Sequence, residues 1–211
     1  MEKLIDKIIE LEWMFFGLVR NEGGRASCQD DRETFRVMRR SQFMAWTVPV
    51  LESWLDDLLT ARAEGRNPLT EKYGYMMCIA APQENRELSE RLPAVTDEKK
   101  VISRKIIDRL AVQNAAFAGR YPLIAGQARP LRTEDEREGR MTSIETYQTG
   151  ELWTYSQRTL ELLDAHLKDL ETGGVNYPEL VIGNSLRQRG FSSLEEAEDF
   201  LAPKRNGGES R

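Results

Sequence analysis

Apolar residues recur at helical spacing through nearly the whole chain, and this period restricts the fold more than any other feature. Leu4, Ile8, Leu11, Phe15 and Leu18 alternate spacings of four and three, which places them on one stripe of a helix. No comparable stretch alternates with period two. "VNYPELVIG" is the one strand-like run, and its Asn-x-Pro opening suits a helix N-terminus equally well. The periodicity predicts helices over 2–20, 31–45, 48–64, 68–79, 83–91, 97–119, 143–172, 177–189 and 193–201. The expected fold is all-α, a helical bundle in one domain over residues 1–202. An irregular connection at 121–140 and a disordered tail at 203–211 complete it. The stripe of helix 4–18 can dock on the chain's own core or form the seam of a homodimer.

The chain has 211 residues, 40% hydrophobic and 31% charged, the balance of a soluble globular protein. A net charge of −5 argues against a nucleic-acid partner, because phosphate binding calls for a basic face. Acids interrupt the apolar run of the N-terminus, so it reads as neither signal peptide nor membrane span. Cys28 and Cys78 are the two cysteines, without C-x-x-C spacing, which suggests a reducing compartment and a cytoplasmic setting.

The sequence also echoes itself. At a separation of 112, Glu33-Thr34-Phe35 aligns with Glu145-Thr146-Tyr147, Phe43 with Tyr155, Thr47 with Thr159, and Leu51 with Leu163. After a three-residue gap, Gly65-Arg66-Asn67 falls opposite Gly174-Val175-Asn176. The pattern predicts two pseudo-symmetric helical-hairpin repeats, about 30–79 and 142–189, flanked by N- and C-terminal helices. Asp30 with Glu33, and Thr142 with Glu145, fit capping boxes at the start of each copy.

Capping does not account for the residues just before the first copy: Gly23, Gly24, Arg25, Ser27, Cys28 and Gln29. Glycines expose backbone amides, and a helix N-terminus attracts anions. Arg25 supplies a bidentate donor, and a thiol at a helix start has a lowered pKa. The expected ligand site is therefore Arg25, Cys28, Gln29 and Asp30, joined by a groove between the hairpins carrying Arg39, Gln42, Phe43 and Tyr155. Its occupant would be a small anionic molecule. Arg129, Arg132, Arg137 and Arg140 in the 121–140 connection could close over such a pocket.

Other chemistry finds little support. His166 is the one histidine and reads as a packing residue. Neither E-x-x-H nor paired Cys/His spacing occurs, so no metal is expected. No glycine-rich phosphate loop is present, so no cofactor is expected. Arg158 and His166 are too far apart for a helical ribonuclease pair, and the acidic pairs too dispersed for a pyrophosphatase. An enzyme acting on a phosphorylated or carboxylated small molecule remains the competing class. It would use Glu33 and Glu145 as acid and base, Cys28 as a reactive group and Arg25 as the anion clamp.

The phrases "ELEWMFFGLVRNEGGRASCQDDRETFRVMRRSQFMAW", "GRNPLTEKYGYMM", "TSIETYQTGELWTYSQRTLELL" and "GFSSLEEAEDFL" resemble a bacterial family catalogued as domain of unknown function 4125. The similarity runs over about residues 10–200. Some members of that family look fused to a nucleotidyltransferase-like domain, which implies a helical accessory role. The combined expectation is a helical module for binding or interaction rather than catalysis.

Overall fold

The computed structural model describes residues 1–20, 24–136 and 142–202. The expected tail at 203–211 lies outside the described residues, as do Gly23, Arg137 and Arg140. Among the described residues every regular element is a helix. They are α1 (Glu2–Gly17), α2 (Arg32–Phe43), α3 (Val48–Ala63), α4 (Pro68–Ala80), α5 (Arg86–Arg91), α6 (Asp97–Arg120), α7 (Pro122–Ala125), α8 (Ile144–Leu152), α9 (Gln157–Thr172), α10 (Tyr177–Gln188) and α11 (Leu194–Leu201). Short 3-10 turns stand at Ser27–Gln29 and Thr133–Asp135.

The apolar stripe of α1 is used inside the chain. Ile8, Leu11 and Phe15 are buried and Leu4 packs against the same core, while Leu18 stays exposed. α1 lies on α2, α3 and α4. Its stripe is therefore a docking face for the chain's own helices.

The expected helix over 143–172 is two helices. Ser156 has extended backbone, and its hydroxyl accepts from the Thr159 amide at 3.2 Å, as an N-cap does. Asp57 on α3 accepts from the Ser156 amide at 2.8 Å and from the Thr159 hydroxyl at 2.7 Å. A carboxylate from another helix thus satisfies the new helix start, so no local breaker residue is needed. The 83–91 helix begins only at Arg86, and the 121–140 connection includes α7.

Helix boundaries in the two halves correspond, with a different register from the expected one. α2 and α8 start 112 residues apart, at Arg32 and Ile144. Their ends, Phe43 and Leu152, are 109 apart, as are the N-caps Thr47 and Ser156 and the N-caps Asn67 and Asn176. The three-residue difference therefore lies inside α2 and α8, not after the second helix. The boundaries thus pair Trp46, not Phe43, with Tyr155. Both middle helices close alike: Gly65 and Gly174 have φ of +69° and +72°. Beyond them Arg66 donates to the Ala61 carbonyl, and Val175 to that of Leu170, at 2.8 Å each. These are matching left-handed turns that favour glycine.

Across the bundle α4 lies on α8, α10 lies on α2, and α3 packs on α9. α6 braces α8, α9 and α10. At Gly150 an added Cβ would lie 2.9 Å from the Lys72 carbonyl and 2.7 Å from Met76 Cγ. This close crossing of α8 and α4 fixes the geometry of the site below.

The capping expectation shifts by one residue in each half. Asp31, not Asp30, accepts from the Thr34 amide, and Ser143, not Thr142, accepts from Thr146. Glu33 and Glu145 therefore sit one position short of the N3 place a capping box requires.

Candidate functional site

A buried cluster of charge occupies the junction of α1, α2, α4 and α8. Glu12 lies on the apolar face of α1, one turn from Ile8 and Phe16, and is 1% exposed. Arg39 from α2 grips it with Nε and Nη2, both at 2.6 Å. The Arg39 Nη1 reaches Glu151 on α8 at 2.9 Å and the side-chain Oε1 of Gln42 at 2.9 Å. Lys72 from α4 donates to Glu151 at 2.7 Å, and the Tyr155 hydroxyl donates to it at 2.8 Å. Trp54 on α3 donates to Glu12 at 2.9 Å. Two carboxylates and two cations balance, so no net charge is left in the core.

Electrostatics hold Glu151 and Lys72 in their charged forms. Burial works against ionisation of Glu151, but Arg39 and then Lys72 outweigh it and hold the carboxyl well below the usual range. Burial would lower Lys72, yet Glu151 overcomes it and keeps the ammonium. Burial and then Glu151 push the Tyr155 phenol up, so it stays a donor. The Lys72 ammonium also stands 3.5 Å from the centre of the Tyr147 ring. Arg129 lies over the same ring at 5.1 Å.

The cluster floors a cavity of about 250 Å³. Its walls are mostly aromatic and apolar: Phe16, Phe35, Met38, Leu69, Tyr73 and Tyr147. Phe16 stacks on Phe35 at 5.2 Å between centroids and on Tyr73 at 6.5 Å. Cys28 and Asp31 stand in the lining, and Arg129 enters from the connection after α7. The Arg129 Nη1 donates to the Thr142 carbonyl and hydroxyl at 3.1 Å, whereas its Nε and Nη2 have no hydrogen bond among the described residues. The hydroxyls of Tyr73 and Tyr147 likewise have none. The cavity thus offers unspent donors above a saturated floor.

The residues singled out by the sequence divide into two groups. Arg39, Gln42 and Tyr155 meet around Glu151, with Arg39 in this cavity and Gln42 and Tyr155 on its far side. Phe43 is fully buried in the core and carries the Arg39 guanidinium over its ring at 4.7 Å. From the loop, Cys28 alone lines the cavity. Arg25 pairs with Asp30 at 2.8 Å and donates to the Gln29 and Gly17 carbonyls. Gln29 is buried as a staple: its amide donates to the Phe16 and Val19 carbonyls at 2.9 Å and accepts from Ala26. Glu33 is exposed. Glu145 accepts from Arg104 at 3.0 Å and from the Thr133 amide at 3.1 Å. Arg25, Glu33 and Glu145 do not line this cavity. His166 points Nε2 at the Ala45 carbonyl at 2.7 Å, a packing contact.

Sequence reasoning passed over Glu12, Lys72, Tyr147 and Glu151. A signal for Glu12 was present: an acid at core spacing within "IIELEWMFF". Lys72 and Glu151 had no such signal, because only the α4–α8 crossing gives them burial and a partner.

Among the described residues no group of three or more histidines, cysteines, aspartates or glutamates is placed to hold a metal ion. Nor is any described helix long and apolar enough to cross a membrane. Neither curated proteins nor solved structures give a match to this chain. A family model, that of the protein of unknown function DUF4125, matches residues 2–199, a span holding all eleven helices apart from the last turn of α11 and every residue of the buried charge cluster; the chain belongs to that family.

Proposed function

We propose that this chain is a binding module for a small molecule with a planar apolar body and one anionic group, seated in the cavity above the Arg39–Glu151 cluster. The observation that carries this is the Arg129 guanidinium, whose Nε and Nη2 make no hydrogen bond among the described residues, beside an aromatic chamber whose other cations are already paired. Phe16, Phe35 and Tyr73 supply faces for stacking, and Arg129 with the Tyr73 and Tyr147 hydroxyls supplies donors for the anion.

Binding fits better than catalysis for an electrostatic reason. A general acid or base works best with a pKa near the working pH. Glu151 is held far below that range and Lys72 above it, so neither exchanges a proton readily near neutrality. Glu33 and Glu145, the acid–base pair of the enzymatic reading, stand outside the cavity lining. The two free cysteines agree with a reducing, cytoplasmic setting.

The test is a thermal-shift comparison of 2-naphthoate with neutral 2-naphthol. The carboxylate should raise Tm by a few degrees at concentrations well above its Kd. That rise should disappear in Arg129→Gln. Equal effects of the two compounds, or a shift unchanged in Arg129→Gln, would refute the assignment.

A further inference from the structure

On the other side of Tyr147 lies a second cavity of about 300 Å³, bounded by α2, α6, α8, α9 and α10. It shares Met38, Arg129, Tyr147 and Glu151 with the first, so these four residues form the partition between them. Its own walls differ in chemistry. Ile106, Leu110 and Leu163 are buried aliphatic residues, and Arg129 and Glu151 of the partition are its charged members.

Asn114 breaks the pattern. It follows Ile106 and Leu110 at successive i+4 positions on α6, on the stripe that faces the core. It is 9% exposed, yet its side-chain amide has no hydrogen bond to any described residue. The amide atoms are not sealed from solvent, so they open on the cavity, where a ligand that enters can pair with them. Two neighbours in the lining, half-buried Gln148 and buried Tyr177, also hold unused hydrogen-bonding groups. The Gln148 amide has no hydrogen bond among the described residues. Tyr177 accepts from Trp46 Nε1 at 2.8 Å, and its own proton has no acceptor among them. The wall therefore offers amide donors, amide acceptors and a phenolic donor, all neutral, within a chamber of aliphatic side chains and the rings of Trp46 and Tyr155.

We infer that this second cavity is a distinct binding site for a neutral planar heterocycle bearing an adjacent donor and acceptor, such as a lactam or cyclic amide, read by Asn114. A cation would lose its hydration here without a counter-ion, since Glu151 is already saturated by Arg39 and Lys72; Arg129 belongs to the partition shared with the first cavity, and the other polar groups of this wall are neutral. A purely apolar ligand would leave the Asn114 amide unpaired. A lactam edge satisfies both the donor and the acceptor of one carboxamide while its ring covers the aliphatic wall. The inference stands apart from the anionic site, because it rests on different residues and different chemistry.

The probe is 2-quinolinone, with naphthalene as its isostere lacking the polar edge. Binding is followed by the side-chain NH₂ resonances of the full chain, with Asn114 assigned by substitution. The expected results are a saturable shift of the Asn114 NH₂ resonance with 2-quinolinone and at least about tenfold weaker binding of naphthalene. Asn114→Leu should weaken 2-quinolinone by about tenfold while leaving the effect of 2-naphthoate on Tm intact. Asn114→Asp, which keeps the size but not the donors, should weaken it similarly and serves if the leucine variant fails to fold. No saturable shift, equal affinity for naphthalene, or unchanged affinity in Asn114→Asp would each overturn the proposal. The 2-naphthoate response, kept in Asn114→Leu, reports separately on the first cavity, which Asn114 does not line.

Discussion

Arginine meets carboxylate at hydrogen-bond distance in both the Arg25 loop and the Arg39 cluster, but the two regions do opposite physical work. Arg25 and Asp30 have side chains 50% and 67% exposed, so water screens their pair. Arg39 and Glu12 are 12% and 1% exposed, so each charge depends on the other. The exposed pair ties a loop to its own backbone. The buried cluster joins four helices and floors a cavity. A short distance alone therefore says little about an ion pair's importance; solvent access decides.

The comparison can be broken most forcefully at Glu151. Glu151→Ala strands Lys72 as a buried cation, leaves Arg39 with Glu12 alone, and should cost about 3–5 kcal/mol of stability in urea unfolding. A loss below about 1 kcal/mol would mean that water reaches the cluster and the contrast fails. Next comes Gly150→Ala, which forces α8 away from the α4 backbone and should cost about 1–3 kcal/mol. It should also disturb Lys72 and Tyr147, seen as a change in aromatic resonances. Ser143→Ala removes a buried N-cap and should cost about 1 kcal/mol in the same assay. Arg25→Ala, at the small end, should change stability by no more than about 0.5 kcal/mol and leave 2-naphthoate binding intact.

Acid and base sharpen the contrast further. The Glu151 carboxyl has a lowered pKa when folded, so its contribution is complete above its ordinary value of 4.5 and fades as pH falls through the depressed folded value. Lys72 is raised, so its contribution is complete below 10.5 and fades as pH rises through the folded value. Unfolding free energy should therefore decline on acidification below about pH 4.5, and Glu151→Gln should flatten that limb.

Where evidence of structure was local, the sequence displayed it. The α1 stripe, the glycine turns at Gly65 and Gly174 and the N-cap asparagines Asn67 and Asn176 depend on neighbours within a few residues. Errors arose where a distant partner intervened. Asp57 splits the expected 143–172 helix at Ser156 from ninety-nine positions away. Gln29 looked like a ligand donor beside Cys28, but the end of α1 consumes its hydrogen bonds. The residues Arg39, Gln42 and Tyr155 were legible as the lining of a groove expected between the hairpins, whereas nothing local marked Lys72 and Glu151 for burial.

By itself, the sequence determined that this chain is helical and where most of its helices begin and end. Periodicity, caps and turns are short-range interactions, and all their participants lie within a few residues of one another. Only the tertiary structure decided which charges are buried, because burial belongs to surfaces that meet across the chain. The α4–α8 crossing at Gly150 turns Lys72 and Glu151 into a core pair, and α6 and α10 enclose Asn114 with no partner of its own.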